Sequence, residues 1–171
     1  FLMSENAPLG KLKDWFYRVE YQQRGSPHIH MLIWLENAPI FGIDEDEDVV
    51  HFIDQIITCS KPHNDTELVD LVNRQTHRHS HTCRKNSTKV CRFNYPQAPM
   101  RSTKILNPLG DNPSQTLLRA AKELWKNIKN KLNDLKEGKD VTLDQLLKSL
   151  DVSEYQYILA IRSSLHHIKI C

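Results

Sequence analysis

Two segments near the start of the chain alternate apolar and polar positions with the two-residue period of a β-strand. They are DWFYRVEYQ (14–22) and HIHMLIWLE (28–36), and both are rich in aromatic and β-branched residues. Gly25 and Pro27 lie between them and favour a turn. The pattern predicts an antiparallel hairpin with its connection over residues 23–27.

Further along, apolar residues recur at helical spacing. They predict helices over residues 44–59 and 64–75, and a long amphipathic helix over 114–138 that Gly138 is expected to end. Thr142 with Gln145, and Ser153, supply capping residues for two short helices. HHIKI (166–170) predicts the start of a strand, and residues 76–112 show no periodicity. The fold class is therefore predicted as α+β.

Composition adds a charge asymmetry that the net charge of +2 conceals. From Glu36 to Asp70 there are ten acidic residues and one basic residue, whereas Arg74 to Lys104 holds eight basic residues and no acidic one. The second stretch is the part of the chain that suits contact with phosphate.

The sequence also excludes some classes of protein. No run approaches the roughly 20 apolar residues of a membrane span, and no signal peptide is visible in this sequence. Four cysteines without a secretory context argue against a disulfide framework and favour a reducing, intracellular setting. Because the sequence begins with Phe1, we expect it to be a piece of a longer protein.

Two histidines in the second predicted strand point to the same side of it. His28 and His30 are two residues apart, so their side chains share a face. With a connection over 23–27, antiparallel pairing sets Gln22 opposite His28 and Glu20 opposite His30. This arrangement predicts a three-ligand metal site with open positions for water or substrate. The alternative is a pair of hydrogen-bonded surface histidines.

A second cluster of metal-ligand residue types occupies the aperiodic segment, residues 76–112. A segment of this length without periodicity needs a stabilising cross-link or a function of its own. Within fifteen residues it contains His77, His79, His81, Cys83 and Cys91. The predicted structural Zn²⁺ ligands are Cys83 and Cys91, then His79 and His77, with Cys59 or His63 as possible substitutes. The alternative is that these are ordinary buried cysteines. The neighbouring cations predicted to line a DNA path, or else to be solvated surface, are Arg84, Lys85, Lys89 and Arg92.

Sequence strings in both regions resemble a known family. PLGKLKDWFYRVEYQQRGSPHIHMLIWLENAP (8–39) resembles the N-terminal nuclease region of Helitron transposases, which are HUH endonucleases, and the likeness continues through QTHRHSHTCRKNSTKVCRFNYPQAPM (75–100) to about residue 170. The resemblance implies an antiparallel sheet of HUH/Rep type with flanking helices. Residues 1–171 would be a partial Rep-like nuclease domain, with 59–110 a His/Cys-rich insertion and 113–163 a helical segment.

The resemblance further implies rolling-circle chemistry on single-stranded DNA in the nucleus. In this family two histidines and a nearby Gln or Glu bind Mg²⁺ or Mn²⁺, and a tyrosine attacks the phosphate. The matching positions here are His28 and His30, with Gln22 the first choice for the third ligand and Glu20 the second. A C-terminal helicase domain in the parent chain is the expected partner.

The family's tyrosines form a Y-x-x-x-Y pair on a helix, which this chain does not reproduce. Tyr17 and Tyr21 are four apart but lie on a strand, on the face away from the histidines, and are expected in the core. Tyr155 and Tyr157 are the weak candidates for the catalytic nucleophile. They are two residues apart and fall on different sides of a helix. We expect the nucleophile to follow Cys171, which leaves open whether this chain is itself an enzyme.

Two other functions compete with this one. The first is a non-catalytic, zinc-stabilised nucleic-acid-binding module, in which the histidine pair does no chemistry. The second is a histidine-triad nucleotide hydrolase, which needs a third histidine where this chain has Leu32.

Overall fold

The computed structural model describes residues 7–21, 27–84, 90–110, 113–135 and 141–171. Over these residues the fold is α+β, with two small antiparallel sheets and five helices, which confirms the predicted class. The chain divides into two compact units, Phe1–Cys59 and Ser60–Cys171. Among the described helices, none combines the length and the apolar character that crossing a bilayer requires.

The first unit contains the predicted hairpin and one helix. Strands β1 (Leu12–Glu20) and β2 (His28–Leu35) pair antiparallel, and helix α1 spans Asp46–Ile56. The first turn of α1 carries three acidic residues, Asp46, Glu47 and Asp48. Their negative charges stabilise the helix, because they lie at the positive end of its dipole. The two strands and this helix confirm the elements predicted from the periodicity of the sequence.

The register of the hairpin differs from the predicted one. Glu20 pairs with His28, and Arg18 pairs with His30, so the predicted pairing of Gln22 with His28 and of Glu20 with His30 is wrong. The reason is that β1 ends at Glu20, so the connection before His28 is two residues longer than the predicted 23–27. A shift by two residues preserves the face of every side chain, so the histidines still share a face with Glu20.

The expectation that Tyr17 and Tyr21 are core residues is also wrong. Tyr17 is 48% exposed and Tyr21 is 80% exposed. On a two-stranded sheet an inward-facing residue needs a further layer to cover it, and alternation alone does not supply that layer. Aromatic and aliphatic side chains are therefore exposed on both faces of the hairpin.

The second unit holds the four other described helices. They are α2 (Thr66–Gln75), α3 (Gln115–Asn133), α4 (Leu143–Leu150) and α5 (Glu154–Arg162). Thr142 and Ser153 each form a capping box with the glutamine three residues on, as their spacing predicts. Helix α3 ends at Asn133 rather than at the predicted Gly138, which lies outside the described residues.

The hydrophobic core of the second unit forms where α3, α4 and α5 meet. Its buried members come from these helices and from one residue of the aperiodic segment: Leu106, Ile128, Leu132, Leu143, Leu146, Tyr157, Ala160 and Ile161. The apolar stripe of α3 predicted from the sequence supplies Ile128 and Leu132 to this core. Through Leu106, the aperiodic segment is therefore anchored in the helical core.

That segment is irregular as predicted, except for a short strand. Strand β3 (Ile105–Leu106) pairs antiparallel with β4 (Lys169–Ile170), the strand expected near residue 170. Side chains of the helices also bind backbone carbonyls of the segment. Lys129 Nζ donates to the Asn94 and Pro96 carbonyls at 3.0 and 3.3 Å, and Tyr157 donates to the Pro99 carbonyl at 2.9 Å.

Candidate metal centres

The two strands of the hairpin bring three ligand atoms together. The Nε2 atoms of His28 and His30 are 3.0 Å apart, and Glu20 Oε2 is 2.7 Å from His30 Nε2 and 3.5 Å from His28 Nε2. Antiparallel pairing produces this arrangement, since it places Glu20 directly opposite His28 and diagonally from His30. All three side chains are accessible to solvent, so a bound cation would keep open positions.

The chemistry of this donor set fits a divalent cation. Neighbouring ligands of an octahedral cation with bonds of 2.0–2.1 Å lie about 3 Å apart, and the three separations bracket that value. Two imidazoles and one carboxylate form a mixed nitrogen and oxygen site, which suits Mn²⁺ better than Mg²⁺ because Mg²⁺ prefers oxygen ligands alone. Gln22, the first choice for the third ligand, lies outside the described residues.

Sequence reasoning missed two residues of this face. With the register found here, Arg18 lies opposite His30, and Phe16 is the next residue on the same side of β1. Both side chains line a surface groove beside the metal ligands. Phe16 and Arg18 lie four and two residues before Glu20, so the two-residue period of a strand could have placed them on the same face of β1 as Glu20. Which β1 residue lies opposite each histidine depended on the length of the connection between the strands.

Four of the predicted zinc ligands lie together in the second unit. The ligand atoms of His77, His79, Cys83 and Cys91 all lie within 4.8 Å of one another. Cys83 Sγ is 3.6 Å from His79 Nδ1, and Cys91 Sγ is 3.4 Å from His77 Nε2. Two ligands at zinc–sulfur and zinc–nitrogen bond lengths from a tetrahedral zinc lie about 3.5 Å apart. We call these four residues the His/Cys cluster.

The predicted substitutes do not join the cluster. Cys59 and His63 are both exposed, and neither belongs to this group. Exposed His81 is also outside it, although it continues the alternation of His77 and His79. The cluster therefore consists of two buried thiols and two half-buried imidazoles.

The surroundings of the His/Cys cluster favour a thiolate at Cys91. Burial acts to raise the pKa of this thiol, but hydrogen bonds from the backbone of Tyr95 and Phe93 act against it. The Cys83 thiol and the Arg84 guanidinium lower it further, and the net pKa lies below its usual value. A cysteine must be deprotonated to bind a metal, so this environment assists metal binding.

The predicted DNA-path residues are only partly within the described chain. Lys85 and Lys89 lie outside the described residues. Arg92 is exposed, and its guanidinium lies 4.5 Å from the centroid of the Phe93 ring. Arg84 is half-buried, and its Nε makes no hydrogen bond to a described residue.

The two candidate tyrosines of α5 differ sharply in exposure. Tyr155 is 73% exposed, whereas Tyr157 is fully buried and donates its hydroxyl to the Pro99 carbonyl. They therefore occupy different sides of the helix, as their spacing predicts. Burial, followed by the electrostatic effect of Cys171, raises the pKa of the Tyr157 phenol, which opposes its use as a nucleophile.

Comparison with known proteins links part of the chain to a family. Residues 2–33 match the family model described as the Helitron helicase-like domain at the N-terminus. This match supports a relationship to Helitron proteins and includes Glu20, His28 and His30, but it ends before the His/Cys cluster. Neither the curated proteins nor the solved structures contained a match to the chain.

Proposed function

We propose that this chain is the metal-binding part of a Helitron-type rolling-circle transposase, of the HUH/Rep type, that engages single-stranded DNA. The observation that carries the proposal is the convergence of Glu20, His28 and His30 on one exposed face, within the segment that matches the Helitron model. The family description supports a helicase as the functional partner. As part of this proposal, we expect the protein to act in the nucleus.

In this proposal the three ligands hold Mn²⁺ or Mg²⁺ at the exposed face of the hairpin. Such an ion would act as a Lewis acid that polarises a phosphodiester. Glu20 contributes a carboxylate oxygen beside the two imidazole nitrogens, and its negative charge favours a cation. Their exposure leaves room for a nucleic acid strand.

The His/Cys cluster has a structural role in the proposal. Two thiols and two imidazoles whose ligand atoms all lie within 4.8 Å of one another suit Zn²⁺, which needs four protein ligands in a structural site. The ion would hold the segment that presents Arg84 and Arg92 to DNA. The nucleophile is not assigned, and buried Tyr157 does not fill that role.

A second candidate function is a zinc-stabilised nucleic-acid-binding module without catalysis. The specific observation in its favour is the exposed Arg92–Phe93 pair close to the His/Cys cluster, because His77 and Phe93 have ring centroids 5.5 Å apart. In this module DNA affinity depends on the His/Cys cluster and does not change when Mn²⁺ is added.

Fluorescence anisotropy with a labelled single-stranded oligonucleotide distinguishes the two functions. For the transposase part, we expect Mn²⁺ to tighten binding relative to EDTA, and the His28→Ala/His30→Ala variant to lose that gain. The matched control is His51→Ala, since His51 lies in the same unit, contacts Gln55 at 2.9 Å and is outside the candidate centres. Binding that ignores Mn²⁺ but fails in Cys91→Ser would instead establish the binding module.

A further inference from the structure

A groove runs along the metal-bearing face of the hairpin and leads away from the ligands. The residues that line it are Phe16, Arg18, Glu20, His30, Met31 and Leu32. We call it the β1–β2 groove. It shares Glu20 and His30 with the candidate metal centre, so a ligand held at the metal extends directly into it.

Arg18 provides the groove with a cation next to the metal ligands. It lies opposite His30 and two residues from Glu20 on the same side of β1, a spacing of about 6.8 Å along a strand. The side chain is exposed and makes no hydrogen bond or ion pair with another described residue. This separation is comparable to that of successive phosphates in an extended strand, and guanidinium binds phosphate oxygens in a fixed fork geometry.

Phe16 provides an aromatic surface in the next position. Its side chain is 58% exposed, and its partner across the sheet, Leu32, is 59% exposed. Exposed aromatic rings next to phosphate-binding cations are the features with which proteins hold single-stranded nucleic acid, because every base has a face that can stack. A paired base in a duplex keeps its faces within the helical stack, so this combination fits a single strand.

We propose that the β1–β2 groove is a nucleotide subsite of the metal centre for single-stranded DNA. Arg18 binds the phosphate next to the one held at Glu20, His28 and His30, and Phe16 stacks on an adjacent base. The assignment rests on the proposed function, since it needs a phosphate at the metal. It adds Arg18 as a phosphate contact and Phe16 as the residue that discriminates between a base-bearing strand and a bare backbone.

The test uses the full chain with Mn²⁺ and two fluorescent strands of about ten nucleotides, within the site sizes of single-strand binders. One strand is oligo-dT, and the other has the same backbone without bases. Phe16→Ala should weaken oligo-dT binding about tenfold and leave the base-free strand unchanged. Arg18→Ala should weaken both strands and lower the slope of log affinity against log salt by about 0.7, the share of one phosphate on a single strand.

Matched variants outside the groove serve as controls. Lys13→Ala removes a cation of the same strand, and Tyr17→Ala removes an aromatic ring from the opposite face. Neither should change the salt slope or the difference between the two strands. Far-UV circular dichroism and a denaturation midpoint like those of the wild type show that Phe16→Ala and Arg18→Ala are folded, and Arg18→Lys should retain the wild-type salt slope.

The outcomes separate this inference from the proposed function. Wild-type affinity and salt slope in Arg18→Ala, or equal losses on both strands in Phe16→Ala, would overturn the subsite while the histidine-dependent effect of Mn²⁺ stands. RNA binding tighter than DNA binding through the same two residues would overturn the assignment to DNA. An absence of any Mn²⁺ effect in the wild type would overturn both proposals.

Discussion

The partner of Glu20 across the hairpin depends on the register of the two strands. In the predicted register Glu20 faced His30 directly, while Gln22 faced His28. In the structure it lies opposite His28 and its carboxylate reaches both imidazoles. A charged carboxylate between two histidines is a better ligand for a hard cation than a neutral amide, so we propose Glu20 as the third ligand.

Glu20→Gln tests this assignment. The substitution retains size and removes the charge, and we expect it to weaken Mn²⁺ binding by more than about tenfold, since even outer-shell partners of a metal site contribute 10–100-fold. Titration calorimetry of the variant against wild type measures the change. Glu36→Gln, at an exposed ion pair with Lys11, is the control and should bind Mn²⁺ normally. Wild-type affinity in Glu20→Gln would exclude this carboxylate as a ligand.

Tyr157 is a structural residue, and its chemistry can be tested separately. Tyr157→Phe loses the buried hydrogen bond to the Pro99 carbonyl and should lower the free energy of unfolding by about 1 kcal/mol. Because burial raises its pKa, the phenol contributes stability that is present below its ordinary pKa of about 10 and lost as the pH rises above it. Denaturant titrations of wild type across that range should show the loss, and the variant should lack it.

The control for this prediction is Tyr155→Phe. Tyr155 is exposed, so its substitution should leave the free energy of unfolding nearly unchanged. A labelled oligonucleotide resolved on a denaturing gel adds a second check. Disappearance of a covalent protein–DNA adduct in Tyr157→Phe would show that this tyrosine is the nucleophile.

At the scale of elements, local patterns predicted most strands and helices. The capping boxes at Thr142 and Ser153 are defined by residues three positions apart, so the sequence contained all the information needed to place them. The pairing of Ile105 with Ile170 joins short segments far apart in the chain, and neither segment has a period. For that reason strand β3 could not be predicted.

In the candidate metal centres too, local sequence predicts some features, whereas others depend on the path of the chain. The strand period of two placed His28 and His30 on one face, but pairing with β1 depended on the number of residues in the connection. In the His/Cys cluster the residue types alone identified the candidate zinc ligands. The contacts between Cys91 and His77, fourteen residues apart, depend on the path of an aperiodic segment that no periodicity describes.

Removal of zinc should affect one segment of the second unit. We expect purified protein to contain about one equivalent of Zn²⁺, and a chelator to increase hydrogen exchange in described residues 77–84 and 90–97. The helical core should be spared, because Ile128 and Leu132 are buried independently of the cluster. Hydrogen-exchange mass spectrometry with and without chelator measures both regions.

Two cysteine variants make this prediction specific. Cys91→Ser removes a buried ligand and should reproduce the effect of the chelator, whereas Cys59→Ser changes an exposed cysteine outside the cluster and should have no effect. Zinc-free protein with full protection of the segment would establish that Cys83 and Cys91 are ordinary buried thiols.

Among the residues that the structure describes, each of the two units contains one candidate metal centre. The centre of Phe1–Cys59 is exposed and suits a labile cation that meets substrate, while that of Ser60–Cys171 is built around two buried thiols. This difference in exposure matches the difference between a functional ion and a structural ion. Phe16, Leu32 and Trp34 remain exposed on the same face as the first centre, as a surface for a nucleic acid strand requires.

We propose that Glu20, His28 and His30 together bind one divalent cation. Pulsed electron paramagnetic resonance of Mn²⁺, with one equivalent of Zn²⁺ already bound, tests it most directly because it detects nitrogen nuclei bonded to the ion. We expect one Mn²⁺ per chain with couplings from two imidazole nitrogens, and loss of this signal in His28→Ala/His30→Ala but not in His51→Ala. Mn²⁺ bound without nitrogen coupling, or with wild-type affinity in the double variant, would contradict the claim.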